Sequence, residues 1–269
     1  GVMVLEMLNI LENFDLVAMG HNSAGYIAVV SEAMKIATVD KDSHLGDPRF
    51  VDVPLDRLCD KGYAAQLAER IRSGEKTHVP RLGGAGGPES KDTTQVSTVD
   101  ELGNCVSMTH SLGMPSGVVS DGLGFMYNGC MAVFDPRPGN PDSLAPGKSR
   151  FTAMAPSIVF DEEKPYFVVG APGGTFITMG VMQAILNVID FGMDAQQAIS
   201  APRFCATSDT IDIANRIPRF VEAELKDRGY LVRRTYLSFH FAGVHGIRIK
   251  DGEWDGGADP GRDGMVMEV

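Results

Sequence analysis

Along the first 72 positions, apolar residues recur three and four apart, the period of a helix with one buried face. Val2, Val4, Leu5, Met7, Leu8 and Ile10 already follow that spacing, so the chain opens in mid-helix and its first residue reads as a cut edge. Ser23 stands as N-cap of a helix over 24–38, and a second helix is expected over 58–71, broken near Gly62. The pattern then stops. Residues 73–92, SGEKTHVPRLGGAGGPESKD, hold Gly83, Gly84, Gly86 and Gly87 and almost nothing to bury, the composition of a mobile linker or exposed cleavage region. Beyond it the period changes to that of strands. Strands at 94–99 and 105–109 flank a turn at Gly103-Asn104, and 157–160 with 166–169 make a second hairpin. Helices follow over 176–191, 194–200 and 221–228, and a late hairpin pairs 244–250 with 253–254 across Asp251-Gly252. Strand pairs alternating with helix pairs predict an α+β fold.

The 269 residues suffice for one large or two small domains with a substantial core, and 43% hydrophobic and 22% charged residues exclude wholesale disorder. No apolar run reaches the roughly 18 residues of a membrane-crossing helix. A formal charge of −11 without a basic stripe argues against nucleic acid as a partner. Cys59, Cys105, Cys130 and Cys205 show neither zinc-site nor disulfide-framework spacing and read as reduced, buried thiols. The six histidines have no metal-site spacing, so neither metal nor cofactor is expected. No signal peptide or other subcellular address is legible.

Two segments carry candidate chemistry. Lys91-Asp92-Thr93-Thr94 stands where the glycine-rich stretch gives way to the first strand, and Gly170-Ala171-Pro172-Gly173-Gly174-Thr175 stands between a strand and the longest helix. Taken alone, paired threonines at a strand start reflect β-propensity. The glycine loop lacks the Lys-Ser/Thr of a phosphate-binding loop, although a helix N-terminus still suits an anion.

In order and spacing the whole chain resembles the γ-glutamyltranspeptidase family, through GHNSAGYIAVVSEAMKIA, DTTQVSTVDELGNCVSMT, MAPSIVF, GAPGGTFI, QAILNVIDFGMDAQQAISAPRF and the terminal GGADPGRDG. The resemblance implies an N-terminal-nucleophile hydrolase with a four-layer αββα sandwich, and a precursor that cuts itself at Asp92–Thr93. Residues 1–92 would then end the large subunit, lacking its first half, and 93–269 would be the small subunit. A pair of subunits from one precursor, and a dimer of such heterodimers, are the implied partners. The chemistry is coherent: a threonine hydroxyl needs a base, and cleavage supplies an α-amine of pKa roughly 7.7–8.0 on the same residue. The family's oxyanion donors fall on Gly173 and Gly174, and the hydroxyl that supports the nucleophile falls on Ser111.

The positions with which the family reads a glutamate head are altered. They fall on Gly113, Cys130, Val133, Thr152 and Ala153, which carry neither charge nor amide. The small-molecule amide substrate is therefore expected not to be γ-glutamyl, with Arg150 or Lys148 available for a charged acyl tail. Two alternatives stay open. One is a true γ-glutamyl enzyme whose recognition groups lie in the missing segment; the other is a non-catalytic relative acting as a binding protein.

Overall fold

The computed structural model describes residues 1–80, 93–237 and 240–269. Most of the glycine-rich stretch, including Asp92, lies outside them. Its first residues are anchored, against the expectation of a linker starting at Ser73. Thr77 N donates to Glu32 Oε2 (2.7 Å), Val79 N donates to Asp209 Oδ1 (2.8 Å), and the Val79 side chain is buried.

The helical first part comprises α1 (Val2–Leu11), α2 (Leu16–Met19), α3 (Ala24–His44), α4 (Leu55–Leu58) and α5 (Lys61–Arg72). Ser23 caps α3 as expected, accepting from Tyr26 N at 3.1 Å. The helix runs six residues beyond the sequence estimate and is buried on nearly every side, as a central helix must be. The break expected near Gly62 falls instead at Cys59-Asp60. Asp60 accepts from Tyr63 N (2.7 Å) and starts α5, leaving Gly62 inside its first turn.

The remainder contains β1 (Thr94–Val99), β2 (Cys105–His110), β3 (Pro115–Val119), β4 (Met126–Asn128), β5 (Ser157–Asp161), β6 (Lys164–Gly170), α6 (Ile177–Ile189) and α7 (Ala195–Ser200). It closes with β7 (Phe204–Cys205), β8 (Thr210–Ala214), α8 (Arg219–Asp227), β9 (Leu231–Thr235), β10 (His245–Lys250) and β11 (Glu253–Ala258). An antiparallel sheet in the order β11-β10-β6-β5 forms the centre. Helices α6 and α7 pack against this sheet, and the β1–β2 hairpin lies against β6 and β10. A helix layer, a sheet and a second sheet are thus built. Among the described residues no helix covers the outer face of the β1–β2 hairpin, where Val96, Val106 and Met108 are exposed. The strict hairpin pattern also has an exception, because β8, α8 and β9 form a parallel strand–helix–strand unit.

One hydrophobic cluster joins α1, α3 and α5 to β6, α6, α7 and α8. The two sides of the glycine-rich stretch therefore share a core rather than forming separate domains. Inside it, Glu6 is 1% exposed and its carboxyl is pushed up to about 9, first by burial and then by its hydrogen bond and charge interaction with Asp40. The folded chain holds this proton where the unfolded chain has released it. Stability should therefore fall as pH rises from the ordinary carboxylate range toward 9, by up to about 1.4 kcal/mol per unit. Glu6→Gln is expected to flatten that decline, so that the two proteins unfold alike near pH 4 and the variant is the more stable at pH 8. Thermal unfolding across pH measures this, and parallel curves would refute it.

Candidate active site

The β1–β2 ladder pairs Thr94 with His110, which sets Thr93 and Ser111 opposite each other one step past its end. Their hydroxyls meet at 2.8 Å. Ser111 Oγ also accepts from Gly113 N at 2.8 Å, a tight turn that leaves the serine proton free to point toward Thr93. Gly113 has φ +69°, and a Cβ there would lie 2.5 Å from Cys130 Sγ and 3.7 Å from Arg150 Nη2. Cys130 Sγ thus occupies the space that a side chain at 113 would need. Cys130 opens the short 3₁₀ turn Cys130–Val133, and its Sγ contacts Leu112 O at 3.4 Å. Val133 closes that turn, half-buried.

The 170–175 loop leaves the end of β6 and enters α6 through the turn Gly174–Phe176. Gly173 has φ +139° and Gly174 φ +56°, conformations that side chains rarely adopt. A Cβ on Gly173 would also lie 2.6 Å from Ala242 Cα, while Gly243 N donates to Pro172 O (2.9 Å). The glycine pair is required by the backbone. Gly173→Ala is therefore expected to shift this turn and to lower amide turnover by about 10²-fold or more. A steady-state assay of the folded variant tests it, and near-normal kcat would show that the turn is not part of the site.

Two cavities flank the loop. One, of about 560 Å³, is lined by Thr93, Gln95, Pro172, His245 and the segment 261–267. The other, of about 280 Å³, is lined by Thr152, Ala153, Thr175, Thr178, Lys41 and apolar residues of the first helix. The structure thus brings Thr93, Ser111, Gly113 and Cys130 together, with Arg150 at their edge. Thr152 and Ala153 instead sit beside Thr175, in a different cavity from Thr93. Of the two basic candidates, Lys148 Nζ is occupied with Pro141 O (2.5 Å) and Ser143 O (2.9 Å). Arg150 Nη1 donates to Phe151 O (2.8 Å), and its charge also acts on Asp142. No cluster of potential metal ligands occurs among the described residues.

Sequence reasoning missed two contributors. Gln95, in β1 two residues after Thr93, packs its side chain on Gly170, and the C-terminal segment walls the larger cavity. Asp259 anchors that segment through a buried ion pair with Arg203 and accepts from Gly261 N at 2.7 Å. The APRF and GGADPGRDG stretches are the two halves of this one contact. His245 lies under Gly264, and burial lowers its pKa. None of the four cysteines forms a disulfide; Cys205 is buried, and Cys59, Cys105 and Cys130 are half-buried rather than fully enclosed.

The sequence model of the family described as gamma-glutamyltranspeptidase matches residues 1–269. Acylase ACY 1 proenzyme of Pseudomonas sp. (strain V22) is 40% identical over 87% of this chain and 42% of its own length. Glutathione hydrolase proenzyme of Escherichia coli (strain K12) is 36% identical over 76% of this chain and 38% of its own length. The cephalosporin acylase of Bacillus halodurans superposes with TM-score 0.86 at 28% identity, over 99% of this chain and 49% of that one. The fold is that of the α+β N-terminal-nucleophile hydrolases, and the chain belongs to the γ-glutamyltranspeptidase family. It spans less than half the length of the curated relatives named here.

Proposed function

We propose that this chain is the catalytic part of a self-cleaving amide hydrolase or acyltransferase whose nucleophile is Thr93. The observation that carries the reading is the 2.8 Å contact between Thr93 Oγ1 and Ser111 Oγ, at the strand start that follows the glycine-rich stretch. Cleavage at Asp92–Thr93 would free the Thr93 α-amine, which takes the hydroxyl proton as Oγ1 attacks the substrate carbonyl. The Gly173 and Gly174 amides stabilise the oxyanion, the proton passes to the leaving amine, and an ester forms on Thr93. Water, or an acceptor amine, then releases the acyl group. After cleavage the parts 1–92 and 93–269 would stay associated, because their core is continuous. A dimer of such heterodimers rests on family likeness and is tested by light scattering.

The acyl group is proposed not to be γ-glutamyl. Gly113, Cys130 and Val133 offer no charge or amide to an α-amino acid head, and a charged head without partners is disfavoured. The Arg150 guanidinium, whose Nη1 donates to Phe151 O, has further donors that suit a carboxylate at the far end of the acyl chain. One of the relatives compared is named an acylase and another a glutathione hydrolase, so γ-glutamyl turnover is the second reading. Assaying the purified protein with γ-glutamyl and simple acyl p-nitroanilides separates them, and no turnover of any would favour the binding-protein alternative.

A further inference from the structure

Two residues past the proposed nucleophile, Gln95 is 9% exposed and lies between the β1–β2 hairpin and β6. Its Oε1 accepts from Thr109 Oγ1 at 2.5 Å. Its Nε2 donates to Val96 O (3.0 Å), Ser107 Oγ (3.0 Å) and Ser97 Oγ (3.2 Å). The carbonyl of Val96 can only accept, which fixes which way the amide faces. Ser107 passes the connection on, donating to Val169 O at 2.9 Å. The amide plane also rests on Gly170, where a Cβ would lie 2.6 Å from Gln95 Nε2. Gly170 ends β6 and begins the loop to Gly173-Gly174. By packing on Gly170, and through Ser107, Gln95 therefore links β1, the strand that follows Thr93, to the strand that delivers the glycine pair.

We propose that Gln95 is a positioning residue, setting the distance between the Thr93 hydroxyl and the Gly173–Gly174 turn without touching substrate. The proposal rests on the reading of Thr93 as nucleophile. Reacting groups need to be held within about 0.5 Å, and an error of about 1 Å can cost 10²-fold in rate. The bare α-carbon of Gly170 is the matching half of the device, because any side chain there evicts the amide.

The experiment compares wild type, Gln95→Ala, Gln95→Glu, Gly170→Ala and the Gln95→Ala/Gly170→Ala double variant in the full chain. Rates of self-cleavage are read by intact mass, kcat and KM with the best acyl anilide, and folding by thermal unfolding. Gln95→Ala and Gly170→Ala should each lower kcat and self-cleavage about 10²-fold with KM nearly unchanged. Gln95→Glu, which keeps the shape but loses the donors, should also lose rate. The double variant should be no slower than Gln95→Ala alone, because eviction of the amide is what the alanine at 170 does. A purely structural role predicts additive losses that follow the unfolding midpoint. That result, or folded Gln95→Ala within threefold of wild-type kcat, overturns the proposal. Wild type that neither cuts itself nor turns over any anilide overturns it together with the nucleophile reading, whereas active wild type with indifferent variants overturns it alone.

Discussion

Thr93→Ala is expected to give one uncut chain, with amide turnover lowered by several powers of ten relative to wild type. The alanine removes the hydroxyl proposed to attack in both self-cleavage and acylation. The neighbouring Ser111 hydroxyl is already held by Gly113 N and lacks an α-amine of its own. Thr93→Ser, which keeps both groups, should still cut and still turn over, more slowly. Intact mass over several days, with an anilide assay on the same samples, decides the matter. A Thr93→Ala chain that still breaks at the Asp92–Thr93 bond would place the nucleophile elsewhere, and an uncut chain with full activity would remove the need for a free α-amine.

The second large effect concerns the acyl group. Hydrogen bonds to a charged head contribute about 1.5–3 kcal/mol each, and about 1.4 kcal/mol corresponds to a tenfold change in rate. With two such bonds lacking at Gly113, Cys130 or Val133, a γ-glutamyl anilide should have kcat/KM about 10²- to 10⁴-fold below the same anilide without the α-amino and α-carboxylate groups. A glutaryl anilide is expected to exceed a butyryl one through Arg150, and Arg150→Ala should erase that difference while sparing the butyryl substrate. Should the γ-glutamyl compound lead the panel, recognition of the head comes from residues other than these. The altered positions would then be compensated, not vacated.

Much of this molecule was legible in one dimension. Ser23, Gly103-Asn104, Asp194 and Asp251-Gly252 marked real starts and turns, because caps and tight turns depend on a few adjacent residues. The short strands β3, β4, β7, β8 and β9 were not legible. Thr210–Ala214 is half-buried at its ends, with no clean alternation, and pairs in parallel with a strand beyond α8. The boundary of α5 was misplaced because glycine marks a break only where nothing stronger competes, and the Asp60 cap competes here.

The sequence by itself determined the strands and turn of the first hairpin, the order of most helix and strand regions, and the family motifs that point to Thr93 and the glycine pair. These follow from period, turn chemistry and local spacing, which act between near neighbours. Only the tertiary structure decided that Ser111 reaches Thr93 and that Cys130 fills the space left at Gly113. It also decided that Thr152 and Ala153 face another cavity, and that Gln95 rests on Gly170. Each of these is a contact between segments far apart in the chain. Its geometry is set by how two sheets and a shared helical core pack, and packing between distant segments leaves no periodic trace in either one.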